Sequence, residues 1–248
     1  MGGTKDARDL VSALRAAFPD TGILATAVSD YGAALLQSSG ECTVLQGACN
    51  SDLLAALIAG RGVKVLVDAT HPFAARASAE AEKAAAMAGI PCLRYSRPAS
   101  GVETGEGVFF ADDFVSAAIM AARLGSRLFL TIGTRHLGEF MAALPAGKEV
   151  VARVLPDAGS INRCRELGLS PASIVAVQGP VSRELNRAMF WQYGAEVVVA
   201  KESGEEGGTG GKAAAAKELG IPLVIIRRPA GKTGLTKSEI IRELEKII

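Results

Sequence analysis

Two kinds of residue in this chain have the chemistry to handle a small anionic molecule, and both recur where apolar runs stop. The first is the polar trio Asp68, Thr70 and His71, which ends the apolar run from Val63 to Val67 and is followed by Pro72. His71 is one of two histidines in the chain, and an imidazole can orient a ligand or give it a proton near neutral pH. The second is a set of cations at similar places. Arg135 follows the run ending in Thr134, Arg153 closes a run of valines, and Lys201 directly follows Glu196–Ala200. An amine or guanidinium at the end of an apolar run is costly unless it meets an anion or water, and arginine holds carboxylates and phosphates bidentately. Gln178 to Ser182 and the glycine-rich segment from Lys201 to Lys212, with Ser203 and Gly204, mark two more such ends. Gly2, Gly3 and Thr4, just ahead of a helical pattern, suit close backbone approach to a phosphate, although they fall short of a full G-x-G-x-x-G.

Each feature has a plainer reading. Thr70 or His71 at a helix cap with Pro72 in the first turn explains that trio without a ligand. Arg135 or Arg153 taken singly resembles a surface arginine, Ser182 with Glu184 a helix cap, and the 201–212 segment a flexible loop. That segment is not a P-loop: the required Gly and Ser/Thr positions hold Glu206 and Ala213. Arg94 and Arg97 are further cations, one of them expected on a solvated surface.

The elements that must position these residues alternate. Strands are predicted over 23–28, 43–46, 63–68 and 92–95, with helices over 6–18, 51–59 and 73–88. A second series has strands over 127–131, 150–154, 174–177, 196–200 and 223–226, with helices over 112–124, 136–144, 160–167, 182–193, 211–219 and 237–247. Near-continuous apolar strands alternating with helices mean parallel sheets covered on both faces. Ligands of such folds bind beyond the carboxyl ends of the strands, where Asp68 to His71, Gly133 to Arg135, Arg153, Gln178 to Ser182 and Lys201 to Gly204 fall. The segment 96–107 breaks the rhythm and predicts a linker. The expected fold is therefore α/β, as two Rossmann-like lobes with parallel sheets and an interlobe cleft, the lobes spanning 1–100 and 108–248.

Composition sets the remaining bounds. A formal net charge of +1 over 248 residues argues against a general nucleic-acid binder. Four scattered cysteines and two histidines predict free thiols and no metal site. No run is long and apolar enough for a membrane span and no secretory signal region leads the chain, so a cytoplasmic protein with neither nucleic acid nor membrane as partner is expected.

The strings GGTKDARDL, VDATHPFA, RYSRP, IGTRHL, ARVLP, VQGPVSRELN, AKESGEEGGTGGK and LGIPLVIIRRP resemble, in order and approximate spacing, those of the precorrin-6A reductases of corrin-ring biosynthesis. The resemblance runs across nearly the whole chain, and the glycine-rich loop is more similar to the cobalt-precorrin-6A version. It implies an NADPH- or NADH-dependent reduction of one macrocycle double bond, from (cobalt-)precorrin-6A to (cobalt-)precorrin-6B, with cofactor and ring between the two lobes. On that footing Gly2, Gly3, Thr4, Asp68, Thr70, His71 and Pro72 are expected on the cofactor. Thr134, Arg135, Arg153, Gln178, Ser182, Lys201, Ser203, Gly204 and Lys212 are expected on the carboxylate-rich tetrapyrrole substrate, and His71 is the candidate proton donor. One departure stands out: such reductases begin with an apolar strand leading into the Gly-Gly-Thr turn, and here Met1 directly precedes Gly2, so that strand is expected to be missing. The same residues suit two alternatives, another two-lobed NAD(P)-dependent reductase or a non-catalytic tetrapyrrole- or anion-binding protein.

Overall fold

The computed structural model describes residues 5–28, 30–47, 49–96, 101–102, 105–204, 207–229 and 234–248. Gly2, Gly3 and Thr4, with Arg97, lie outside the described residues. The chain divides into two compact units, one of residues 1–97 with 230–248 and the other of residues 98–229.

In the first unit the order is α1 (Lys5–Ala17), β1 (Leu24–Ala27), α2 (Asp30–Gln37), β2 (Thr43–Gln46), α3 (Ser51–Arg61), β3 (Leu66–Asp68), α4 (Ala75–Ala88) and β4 (Cys92–Arg94). The α1 helix buries Ala7, Leu10, Val11 and Leu14, the i, i+3, i+4, i+7 stripe of an amphipathic helix. Asn50 caps α3 by accepting a bond from the Leu53 N–H, and Gly62, at φ 61°, ends it in the left-handed conformation. Its strands form two parallel pairs, β1 with β2 and β3 with β4.

The second unit holds β5 (Val108–Ala111), α5 (Phe114–Leu124), β6 (Arg127–Thr131), α6 (Leu137–Ala142), β7 (Glu149–Val154), α7 (Ala158–Glu166), β8 (Ile174–Ala176), α8 (Arg183–Gln192), β9 (Val197–Lys201), α9 (Thr209–Glu218) and β10 (Leu223–Ile226). Its six strands make one parallel sheet in the order β5-β10-β9-β6-β7-β8. Val197 to Ala200 and Leu223 to Ile226 are buried throughout, as strands covered on both faces must be. The chain lays β7 and β8 on one side of β6, then returns to place β9 on the other. The β6–β9 junction is thus the point where strand order reverses, the usual place for a ligand in such a sheet.

Several sequence expectations change. The last helix, α10 (Lys237–Glu245), belongs to the first unit and not to a continuous lobe over 108–248. Leu235 pairs with Tyr95, and Ile240 and Leu244 pack with Ala7, Leu10 and Leu14 of α1. A helix buries its apolar stripe wherever a matching one is available, and local pattern carries no address for it. Two elements went unread: α2, and β5, which adds an edge strand just after the expected linker and aligns Val108 with Leu223. The α4 helix starts at Ala75 and not at Phe73, because Pro72 and Phe73 form a turn closed by the Ala74 N–H donating to the His71 carbonyl at 2.7 Å. Among the described residues no helix is long and apolar enough to cross a membrane.

Because α10 completes the first unit's core, Ile240→Ala should destabilise that unit by about 2–5 kcal/mol. Hydrogen exchange read element by element checks this: α1 and the β3–β4 pair should lose protection, while β6 and β9 keep theirs.

Candidate functional site

Three cations converge at the carboxyl end of the second unit's sheet. Arg153 is the penultimate residue of β7, Lys201 the last of β9, and Lys212 stands in the first turns of α9. Arg153 and Lys212 are buried, 9% and 5% exposed. The Arg153 guanidinium donates to Asn186 Oδ1 at 2.7 Å, and the Asn186 amide nitrogen donates in turn to the carbonyls of Val181 and Ser182. The α8 helix thereby sets the arginine's position. Lys212 Nζ donates to the Gly207 carbonyl at 2.8 Å.

The loop that encloses Lys212 is shaped by glycine. Gly204 and Gly208 have φ of 74° and 70°, a region L side chains rarely enter. At Gly207 a Cβ would stand 2.1 Å from Ser203 Oγ, so no side chain fits there. Ser203 ties the loop, its N–H donating to Thr209 Oγ1 at 3.1 Å and its hydroxyl to the Gly207 carbonyl at 3.1 Å. Just past β6, Gly133 has φ of 70°, and a Cβ built on it would stand 4.0 Å from Lys201 Nζ, an ordinary contact distance.

The electrostatics are those of an anion site. Burial, with the neighbouring Arg153 and Lys201 charges, lowers the Lys212 pKa to about 7. Burial alone brings Arg153 down to about 10. No carboxylate figures among the charges acting on either group. Two buried cations and a third beside them repel one another, and an anion bound among them would relieve the repulsion and hold Lys212 protonated.

Of the residues singled out from sequence, Arg153, Lys201 and Lys212 come together, with Ser203 and Gly204 as parts of the loop. Thr134, Arg135, Gln178 and Ser182 stand at the ends of β6 and β8, on the same side of the sheet. Arg135, Gln178 and Ser182 are exposed, and the Ser182 hydroxyl caps α8 by accepting from the Leu185 N–H at 3.2 Å. Asn186, Gly207 and Thr209 escaped the sequence reading. The signal for Asn186 was its position four residues after the capping Ser182, on the helix face that turns inward.

In the first unit the end of β3 is a buried polar hub. Asp68 is 1% exposed; its Oδ1 accepts from the Thr70 N–H at 3.0 Å, and its Oδ2 pairs with the Arg94 guanidinium. Arg94 also donates to the Ser78 hydroxyl, which lies 3.0 Å from Thr70 Oγ1. Burial pushes the Asp68 pKa up, but the Thr70 and Ser78 hydrogen bonds and the Arg94 charge outweigh it and leave the carboxyl below its ordinary value. Asp68, expected from sequence on the cofactor, is turned inward and fixes the turn that carries Thr70 and His71. His71 Nδ1 accepts from the Phe73 N–H at 3.2 Å, which in the neutral ring leaves the proton on Nε2. The α4 N-cap, Ala74, offers no side-chain bond, so the helix begins without the side-chain acceptor that usually satisfies its first N–H groups.

The whole chain, residues 1–248, matches the family described as precorrin-6x reductase CbiJ/CobK. A cobalt-precorrin-6A reductase of Priestia megaterium is 39% identical over 240 residues, which cover 96% of this chain and 92% of that protein. Another, from Methanothermobacter thermautotrophicus, is 38% identical over 232 residues, covering 92% of this chain and 75% of that one. Among solved structures, a CobK precorrin-6A reductase is similar with a TM-score of 0.76 at 25% identity, across 99% of this chain and 94% of the other.

The lowered Lys212 pKa makes stability depend on pH in a defined direction. Between about 7, its folded value, and the ordinary 10.5, the unfolded chain binds the proton that the folded one lacks, so this residue makes stability rise with pH across that window. Without a bound anion, Lys212→Met should therefore gain most over the parent at pH 6, with the gain shrinking toward pH 9. Urea denaturation across that range measures it, and a pH-independent difference would contradict the burial of an uncompensated ammonium.

Proposed function

The chain belongs to the precorrin-6x reductase family, and on that premise we propose that it reduces one double bond of precorrin-6A, or of its cobalt form, with NADPH or NADH as the reductant. The observation that carries the substrate side is the Arg153–Lys201–Lys212 cluster, cationic, largely buried and placed where the strand order reverses. A tetrapyrrole precursor bearing acetate and propionate groups brings the carboxylate that such a cluster calls for. Arg153, held by Asn186, is set for bidentate contact, and Lys212 draws its proton firmly once the carboxylate is in place. Thr134, Arg135, Gln178 and Ser182 are proposed to meet the exposed periphery of the ring.

The residues of the first unit fit a nicotinamide dinucleotide in kind. The start of α4 lacks a side-chain cap, an arrangement suited to a phosphate; Thr70, His71 and the Pro72 turn flank it. These residues would hold the cofactor, together with Gly2, Gly3 and Thr4. Bound there, the nicotinamide supplies the hydride. His71 presents Nε2–H as a donor while Nδ1 is engaged by the backbone, so its role is to orient a ligand acceptor. The same reading takes a cytoplasmic enzyme whose partner is a small-molecule tetrapyrrole rather than nucleic acid or membrane, in keeping with a net charge of +1.

Turnover of precorrin-6A and cobalt-precorrin-6A, each with NADPH and NADH, tests the activity directly; failure with all four pairings would refute it. In the productive pairing, Arg153→Ala or Lys201→Ala should weaken substrate binding by about 1.5–3 kcal/mol, seen as a raised KM. A fall in melting temperature with KM unchanged would assign these residues to structure instead.

For His71, asparagine is the informative replacement, because its side-chain oxygen can still accept from the Phe73 N–H. An orienting role predicts that His71→Asn keeps much of kcat and its pH profile. A fall of about 10²–10⁴-fold in kcat, with loss of one limb of the pH profile, would identify His71 as the proton donor.

A further inference from the structure

The first unit carries a second carboxylate just past a strand end, and unlike Asp68 it is left exposed. Asp30 opens α2, which follows β1 closely. The β1 and β2 strands run parallel with Ala27 aligned to Gln46, so their carboxyl ends lie together. Across those ends the Gln46 side-chain amide donates to Asp30 Oδ1. That contact sets the carboxylate in place. A carboxylate accepts through both oxygens, so Oδ2 remains an acceptor for a ligand hydroxyl. The charge carried by this stretch of chain is one-sided. From residue 16 to residue 60, through β1, α2, β2 and nearly all of α3, there is no lysine or arginine. Arg15, the cation just before that stretch, spends its guanidinium on the carbonyls of Pro19, Thr21 and Glu41, and Lys5 is paired with Asp9.

We infer that Asp30 decides which nicotinamide dinucleotide this chain takes. Its carboxylate accepts from the 2′-hydroxyl of the adenosine ribose and turns away a 2′-phosphate, so that NADH is the preferred reductant. The inference rests on the reductase reading above and sharpens its cofactor. In a dinucleotide-binding βαβ unit the phosphates lie at the start of the first helix. The strand after that helix ends near the adenosine ribose, where an acidic residue bonds the 2′-hydroxyl. In this chain α1 follows the Gly-Gly-Thr sequence at 2–4, β1 follows α1, and Asp30 follows β1. A hydroxyl donating to a carboxylate makes a charge-assisted bond, shorter and stronger than a neutral one. A 2′-phosphate has the same sign of charge as Asp30. Where such folds take NADPH, a nearby arginine accommodates that phosphate, and residues 16–60 offer none.

Calorimetric titration of the protein with NADH and with NADPH tests this without turnover, because the 2′-phosphate is the only difference between the two nucleotides. NADH should bind about tenfold or more tightly than NADPH. Asp30→Asn keeps the size of the side chain and removes its charge, and should bring the two affinities to within about threefold of each other. Asp30→Arg should invert the order, with NADPH the tighter ligand. Because Asp30 is exposed, Asp30→Asn should move the melting temperature by no more than about 2 °C. Equal loss of both affinities with a clearly lowered melting temperature would assign Asp30 to the start of α2 and overturn the inference. Equal affinities in the parent, or tighter NADPH, would overturn it and leave the reductase reading standing, whereas binding of neither nucleotide would overturn both.

Discussion

The second unit is organised around positive charge held out of water. An isolated buried ammonium or guanidinium is among the most expensive groups a fold can contain, and here Arg153 and Lys212 are buried beside each other and beside Lys201. The surroundings make this tolerable without neutralising it. Asn186 and the Gly207 carbonyl supply neutral oxygen acceptors, and the apolar strands β6, β9 and β10 form a base that does not yield. A carboxylate in the same position would cancel the charge and leave nothing for a substrate to complete. The three-glycine loop is needed because backbone carbonyls, unlike carboxylates, can approach Lys212 without abolishing the site.

The first unit handles its buried charge in the opposite way. Asp68 and Arg94 satisfy each other, with Thr70 and Ser78 filling the remaining valences, and the result is a fixed turn instead of an open charge. Removing one member of such a network leaves the other uncompensated, which is why a buried pair resists change even when its net stabilisation is small. The turn it fixes carries His71, so the rigidity of the hub is transmitted to the imidazole through two residues of backbone.

Much of this was legible in the sequence where the signal is local. The run Val197–Ala200 followed by Lys201 could hardly be anything but a buried strand ending in a cation, and Arg153 follows the same logic. Pairing across the sheet was not legible. Asp68 and Arg94 are partners because β3 and β4 align them in register, and nothing in a heptapeptide around Asp68 says whether it looks inward or toward a ligand. The burial of Lys212 depends on how Gly207 and Gly208 are placed against it, which glycine permits but does not announce. The α10 helix has a clear capping box, Thr236 with Glu239, yet its apolar face would suit either unit; its choice of α1 is a tertiary fact.

That choice has a consequence for how the molecule is made. The first unit is discontinuous, closed by residues 230–248, whereas the second is a single uninterrupted stretch from 98 to 229. A chain leaving the ribosome at about 5–20 residues per second exposes all of the second unit before it delivers Ile240 and Leu244 to α1. For on the order of ten seconds, the apolar stripe of α1 has no native partner from α10, while the six-stranded sheet can already close. The order of completion is therefore inverted relative to the order of synthesis, and the N-terminal residues are the last to be sealed.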